Sequence, residues 1–419
     1  MLSLAELAAA VAGGEIDTVI AAFTDMQGGL LGKRIEAEYF MESAGQGEKV
    51  EGCNYLMTVD MEMEPVPGYA MASWERGYGD FDMVPDFATL RRIPWLEATA
   101  LVLCDVAWSN GTPVRPSPRQ VLKGQVERAV KLGFAPMFGS ELEFYLLKET
   151  YAEAHARLYR NLTPSVPYSL DYHILATSYD EAFIRSVRNG MKGAGIRVES
   201  SKGEAWPGQQ EINFRFADAV TMADNHVIYK NGIKEMANGA GCSVTFMAKP
   251  DHSWIGSSCH IHSSLWRDGS NAFDGESETF RQYLAGQIAC ASELAVFLAP
   301  NVNSYKRCAA GTWAPTTLAW GHDNRTCGFR IVGHGQHPCV PSSRPKRVTR
   351  RSRTCSFPRN PDGQAGRQGG GDHGGGRRHR PRGRAPFLVG RGPRMRRGCR
   401  SRSGREDRGR VPGGLLLAR

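Results

Sequence analysis

The sequence predicts a two-part fold of mixed strand and helix, α/β or α+β, without a dinucleotide-binding core. Three observations lead there. Residues 1–108 are β-rich with few helices. From Ser117 onward, helical stripes alternate with strand-like runs, and no glycine-rich phosphate fingerprint stands between them. At residue 336 the composition changes abruptly, so only the first 335 of 419 residues read as foldable, enough for two domains. The expected division is residues 1–108, then 109–335, then a basic tail over 336–419.

The elements follow in order. Leu2 to Val11 has helical apolar spacing with Ser3 as N-cap. Thr18 to Phe23 and Leu30 to Ile35 read as strands of a hairpin around the turn-rich Asp25 to Gly29. Gly32-Lys33 imitates the end of a phosphate-binding loop, but Gln27 stands five residues earlier and Arg34 follows where Ser or Thr belongs, so the hairpin is preferred. After an irregular stretch from Tyr69 to Arg92, Ala98 to Val106 reads as a buried strand. Ser117-Pro118 opens a helix carrying Val121, Leu122, Val126, Ala129 and Val130 on one stripe. Further helices are expected at Tyr179 to Lys192, Met222 to Ala237 and Phe280 to Leu298.

Charge and cysteine usage exclude several classes. The net charge is +9, yet residues 336–419 hold 22 Arg and one Lys against four acids, a local +19 that leaves −10 on the rest. Leu, Ile, Val and Phe make up 10 of those 84 tail residues, too few to offset the entropy of folding, so disorder is expected there. The ten cysteines are scattered without a C-x-x-C pair, which reads as reduced thiols in a cytoplasmic protein. Met1 to Ile16 has no Lys or Arg, unlike a signal peptide, and no apolar run approaches the roughly 18 residues of a membrane span.

Three strands carry chemistry on one face. In Gly139-Ser140-Glu141-Leu142-Glu143-Phe144-Tyr145-Leu146, alternation puts Leu142, Phe144 and Leu146 on one side and Glu141 and Glu143, roughly 7 Å apart, on the other. The same alternation groups Glu211, Asn213 and Arg215, and Cys259-His260-Ile261-His262-Ser263 adds two histidines. Glu204 precedes a Pro207-Gly208-Gln209 turn that can fold it back toward Glu211. An exposed edge strand alternates in the same way, so each strand alone is weak; the set is stronger. Carboxylates and imidazoles gathered in one cavity repel unless cations lie between them, and oxygen and nitrogen donors without thiolate suit Mg²⁺ or Mn²⁺. With Arg307, Arg325 and Arg330 nearby in sequence, the pattern points to phosphoryl transfer from ATP.

These segments resemble the glutamine synthetase family from about residue 15 to Gln336. The motifs are Gly139 to Phe144, Pro207-Gly208-Gln209-Gln210-Glu211, Phe246-Met247-Ala248-Lys249-Pro250, His260-Ile261-His262-Ser263-Ser264, Asn303-Ser304-Tyr305-Lys306-Arg307 and Asn324-Arg325. The resemblance implies an α+β fold: an N-terminal β-grasp domain, and a catalytic domain whose curved antiparallel sheet lines a site shared between copies in a ring, commonly a dodecamer. It implies that ATP phosphorylates the γ-carboxylate of glutamate and an amine displaces the phosphate. It makes Glu143, Glu204 and Glu211 ligands of one metal, and Glu141 and His260 ligands of a second that bridges the ATP phosphates. His262 and Gly256 border the glutamate, Arg307 takes its α-carboxylate, and Arg325 and Arg330 hold transferred and nucleotide phosphates. Ser264 and Lys249 fall in the ATP-region signature, where Asp251 and Ser258 replace an apolar residue and a glycine.

Two further departures bear on the reaction. Ammonia-using members carry a Glu six residues after the motif arginine; here it is Trp313, which offers an apolar wall or a cation–π face but no base. Asp60 is only a loose counterpart of the usual Asp-Gly-Ser loop. The resemblance therefore leans toward γ-glutamyl polyamine or alkylamine ligases, with an ammonia-using glutamine synthetase as the alternative. After Gln336 the family continues with a Ser-x-Arg-x-Glu-x-Arg strand that completes the second metal site. This chain has His337-Pro338-Cys339-Val340-Pro341-Ser342 instead. Codons for these residues read two bases out of register can spell Ser-Val-Arg-Ala-Glu, so a shifted reading frame and impaired activity are expected. The competing reading is a catalytically dead member with an Arg/Gly-rich nucleic-acid arm. Phe357 and Phe387 are the tail's only aromatics and no Arg-Gly-Gly repeat recurs, so stacking support for such an arm is slight.

Overall fold

The computed structural model of the chain describes residues 1–46, 49–169, 171–309, 312, 314–333 and 340–342. The basic tail beyond 342 and Trp313 lie outside the described residues.

The first sheet comes from the first 107 residues. Strands β1 (Thr18–Thr24) and β2 (Leu30–Glu36) form the expected hairpin, with Ala22 opposite Gly32. A Cβ at residue 32 would overlap the Ala21 carbonyl, so this glycine serves close strand approach rather than a phosphate loop. Strands β3 (Val50–Cys53), β4 (Asp80–Pro85), β5 (Arg91–Arg92) and β6 (Thr99–Ala107) complete the order β2-β1-β6-β4-β3, with β5 on β6 and a parallel β1/β6 pair at the centre. Helix α1 (Leu4–Ala12) starts at Ser3, whose hydroxyl accepts from the Glu6 amide while Glu6 reaches back, a reciprocal capping box. Helix α2 (Ala37–Gln46) follows β2 directly and is absent from the sequence reading, which finds no turn residue to separate it from the strand.

Both faces of β6 are buried, which explains its unbroken apolar run. Val102, Cys104 and Val106 pack with Val19, Phe23, Leu7 and Phe40. Leu101 and Leu103 turn the other way and join Ile184, Val187, Ile228 and Ile233. The two sheets thus share a hydrophobic layer of helices.

The second part begins with α3 (Pro118–Lys131) and the thirteen-residue β7 (Ala135–Leu147). After α4 (Tyr151–Ala156), α5 (Ile174–Thr177) and α6 (Glu181–Gly193) come β8 (Val198–Gly203), β9 (Gln209–Phe214) and β10 (Ala217–Asp218). Helix α7 (Ala219–Gly239), β11 (Ser243–Thr245), β12 (Cys259–Arg267) and β13 (Ser270–Asn271) follow. Helices α8 (Glu278–Ala289), α9 (Ala291–Leu298) and α10 (Val302–Arg307) then lead to β14 (Trp320–His322), β15 (Phe329–Ile331) and β16 (Val340–Ser342). The sheet order is β14-β15-β16-β12-β7-β9-β8, antiparallel except for β14/β15.

Three expectations change here. The stretch from Tyr69 to Arg92, expected to be irregular, contains β4 and β5, because Phe81 and Met83 are apolar residues that pack into the core. The single helix expected over Phe280 to Leu298 is two, broken at Cys290, whose ψ of 9° interrupts the helical path. Strand β9 ends at Phe214, so Arg215 does not share the Glu211 face; it is exposed, its guanidinium over the Phe216 ring.

Candidate active site

Antiparallel register assembles the site. Glu143 stands opposite Glu211 across β7/β9, and Glu141 opposite His260 across β7/β12. Alternation then keeps Glu141, Glu143, Glu211, Asn213, His260 and His262 on one face, while Leu142, Phe144 and Ile212 fill the core behind. Glu204 follows β8, and its amide donates to the Gln209 carbonyl at 2.8 Å, so the Pro207-Gly208 turn brings it back as expected. One carboxylate oxygen from each of Glu143, Glu204 and Glu211 lies within 4.8 Å of the others.

Burial and the nearest charges set the ionisation of this cluster. Burial pushes Glu211 up to about 6; Lys202 opposes this, while Glu141 and Glu143 add repulsion. Glu141 behaves oppositely: burial would raise it, but the contact with His262, then His260 and Lys202, holds it at about 2. His262 Nε2 is 3.2 Å from Glu141 Oε1. The Lys202 ammonium bonds Glu204 and lies 3.5 Å from Glu211, so an internal cation already reaches into the three-carboxylate group. An all-oxygen donor set that draws in a cation fits a hard divalent metal.

Gln209, Ser258 and Lys202 also lie beside these carboxylates; the sequence reading quotes Gln209 and Ser258 only within motifs, without a role, and leaves Lys202 out. Buried Gln209 places its Nε2 3.3 Å from Glu143 Oε2, 3.4 Å from the Gly256 carbonyl and 3.2 Å from Ser257 Oγ. Lys202 shares the alternation of Glu204 two residues on, a signal readable in the sequence. Gly256 lies beneath Arg307: a Cβ there would sit 2.5 Å from Arg307 Cγ and 2.7 Å from the Ala248 carbonyl. Arg307 is 7% exposed, and its Nε is a buried donor with no hydrogen-bond partner among the described residues, as suits a site for an anionic ligand.

The Lys249 amide donates to Asn303 Oδ1 and its carbonyl accepts from Asn303 Nδ2, both at 2.8 Å, fastening this loop to the helix that carries Arg307. The Lys249 ammonium bonds the Trp254 carbonyl. Ser264 is buried and accepts from Trp266 Nε1 at 3.1 Å. Arg325 is exposed, and Arg330 is held by Asp323, its Nε donating at 3.0 Å. Beside the histidine strand, β16 pairs Pro341 with His262 and Ser342 with Ile261. Strand β16 therefore takes the sheet position beside β12, and its residues Val340, Pro341 and Ser342 include no Asp, Glu or Arg.

Three convergent carboxylates that could hold a metal ion, a carboxylate–imidazole pair and a buried arginine are thus brought together by the curved sheet and the loops beside it. Residues 115–345 match the glutamine synthetase catalytic domain. The chain is 50% identical over 339 residues to the gamma-glutamylethanolamide synthetase GlnA4 of Streptomyces coelicolor, covering 80% of this chain and 73% of that one. It is 39% identical over 325 residues to a glutamate–isopropylamine ligase of a Pseudomonas species, covering 76% and 70%. The solved structure of apo GmaS without ligand superimposes with a TM-score of 0.68 at 27% identity, over 81% of this chain and 75% of that one. The chain belongs to the glutamine synthetase family. No helix among its described residues is long and apolar enough to cross a membrane.

Proposed function

We propose that the chain has the site of an ATP-dependent glutamate–amine ligase of the glutamine synthetase type, with an alkylamine or polyamine preferred to ammonia. The convergence of Glu143, Glu204 and Glu211 within 4.8 Å carries this reading. These three would hold one Mg²⁺ or Mn²⁺, and Glu141 with His260 would contribute to a second. Bound cations supply charge neutralisation across the phosphates of ATP. Arg307, with its unpartnered Nε above Gly256, would orient glutamate by its α-carboxylate, with His262 at the border. Lys249, Ser264, Arg325 and Arg330 are assigned to the nucleotide and the transferred phosphate.

In this scheme a γ-carboxylate oxygen of glutamate attacks the terminal phosphorus of ATP, the bond to ADP breaks, and γ-glutamyl phosphate forms. The amine nitrogen then attacks the acyl carbon, phosphate leaves, and the nitrogen loses a proton to a base other than Trp313, whose indole accepts none. Relatives named for ethanolamide and isopropylamine chemistry support an amine over ammonia. The divisions at residues 108 and 335, a cytoplasmic setting and assembly into a ring belong to the same proposal. Ile174 and Leu175, 81% and 71% exposed, support burial against a second copy.

The second cation site would be short of a carboxylate, because residues 337–342 carry none where the resemblance implies one. This supports a chain with little or no turnover. The test replaces everything after Gln336 by the corresponding segment of the ethanolamide synthetase. ATP- and glutamate-dependent phosphate release is then measured with ethanolamine, putrescine and ammonium. The replaced chain should turn over at least about 100-fold faster than the original and favour an amine over ammonium. Silence in all arms, or a preference for ammonium, contradicts the proposal.

A further inference from the structure

Ser258 stands where the family places a glycine, and the structure gives its side chain specific work. It is 5% exposed. Its amide donates to Glu143 Oε2 at 2.7 Å, its carbonyl accepts from the Glu143 amide at 3.0 Å, and its hydroxyl bonds Glu143 Oε1. The same hydroxyl oxygen is 3.1 Å from His260 Nε2. One hydroxyl therefore touches a residue assigned to each cation site.

Donor and acceptor roles follow from chemistry. An ionised carboxylate only accepts, so the hydroxyl proton points to Glu143. The oxygen's free lone pair then faces His260 Nε2, which must carry the ring proton to bond it. A neutral imidazole protonated at Nε2 has its lone pair on Nδ1. We propose that Ser258 is a positioning residue: it anchors both oxygens of Glu143 and fixes His260 in the tautomer that offers Nδ1, so that the ligands of the two cation sites are set by one side chain. A glycine at this position keeps the main-chain bonds to Glu143 but leaves the His260 tautomer unset.

This rests on the reading of Glu143 and His260 as cation ligands, and the experiment separates the two. Full-length chain and Ser258→Ala are titrated with Mn²⁺ alone, with free Mn²⁺ followed by EPR, histidine nitrogen coupling to bound Mn²⁺ followed by pulsed EPR, and metal-free unfolding followed in urea. The original chain should bind Mn²⁺ with a histidine nitrogen signal. Ser258→Ala should bind at least about tenfold more weakly, the size typical of groups that orient metal ligands, and lose most of that nitrogen signal, with the metal-free urea midpoint unchanged. No Mn²⁺ binding by the original chain overturns the cation-site reading and the inference with it. Binding by the original chain with equal affinity and equal nitrogen coupling in Ser258→Ala overturns the inference alone. So does a weaker affinity that comes with unchanged coupling and a lowered urea midpoint, which marks a purely structural serine.

Discussion

His226, on α7 behind the site, has its Nδ1 3.1 Å from Ser140 Oγ, one residue before Glu141. Burial is the main cause holding this imidazole down at about 4, and Lys230 adds to it. In the unfolded chain it takes up a proton near pH 6.5, so between pH 6.5 and 4 the unfolded state binds the extra proton. Its contribution is thus complete above pH 6.5 and is lost as pH falls toward 4. The full shift corresponds to about 3 kcal/mol, and the partial exposure of the residue reduces this to about 1–2 kcal/mol. Urea unfolding of metal-free protein at pH 7 and pH 4.5 should show that loss in the original chain and less of it in His226→Asn; equal losses contradict the assignment. At this scale the carboxylate-bearing face was legible, because alternation alone puts Glu141 and Glu143 opposite the apolar set. The roles of Gln209 and Ser258 were not, because they depend on cross-strand distances that no spacing along the chain encodes.

The helices and sheets are locked together by a buried ion network centred on Arg119 of α3. Its guanidinium donates to Asp224 of α7 at 2.9 and 3.0 Å, to Asp105 of β6 at 2.6 Å and to Asp86 at 2.8 Å. Removing it leaves three carboxylates facing one another, Asp224 with a side chain only 6% exposed. Arg119→Ala should therefore cost about 3–5 kcal/mol, the range for breaking a buried pair. Lys123 bonds Asp105 at 2.6 Å but its side chain is 30% exposed, and Lys123→Ala should cost less than about 1 kcal/mol. Chemical denaturation of the two variants checks this; similar costs contradict it. Elements with strong local signals, such as the β1/β2 hairpin and α7, were readable in advance. Helix α2 was not, since only Ala37 and Phe40 on it are fully buried and nothing marks its start. The break at Cys290 was hidden because apolar residues continue on both sides of it.

At the scale of the whole molecule, two features pull apart. The carboxylate cluster of β7, β9 and Glu204 is assembled by strands that lie before residue 336, and it is intact. Strand β16 pairs with β12 from Val340 to Ser342, and these three residues include no acid or arginine. The +9 net charge is accordingly a sum of an acidic body and the basic residues after 336. If the frame shifts at this point, DNA sequencing through codon 337 will show the offset; an independently confirmed unbroken frame contradicts it. On the proposed function, the Glu143, Glu204 and Glu211 group is a divalent cation site retained by this chain. Equilibrium Mn²⁺ binding to the full chain tests it most directly. The prediction is at least one tightly bound Mn²⁺ per chain, with the affinity of that site at least about tenfold weaker in Glu211→Gln; no tight binding, or binding that Glu211→Gln leaves unchanged, would contradict it.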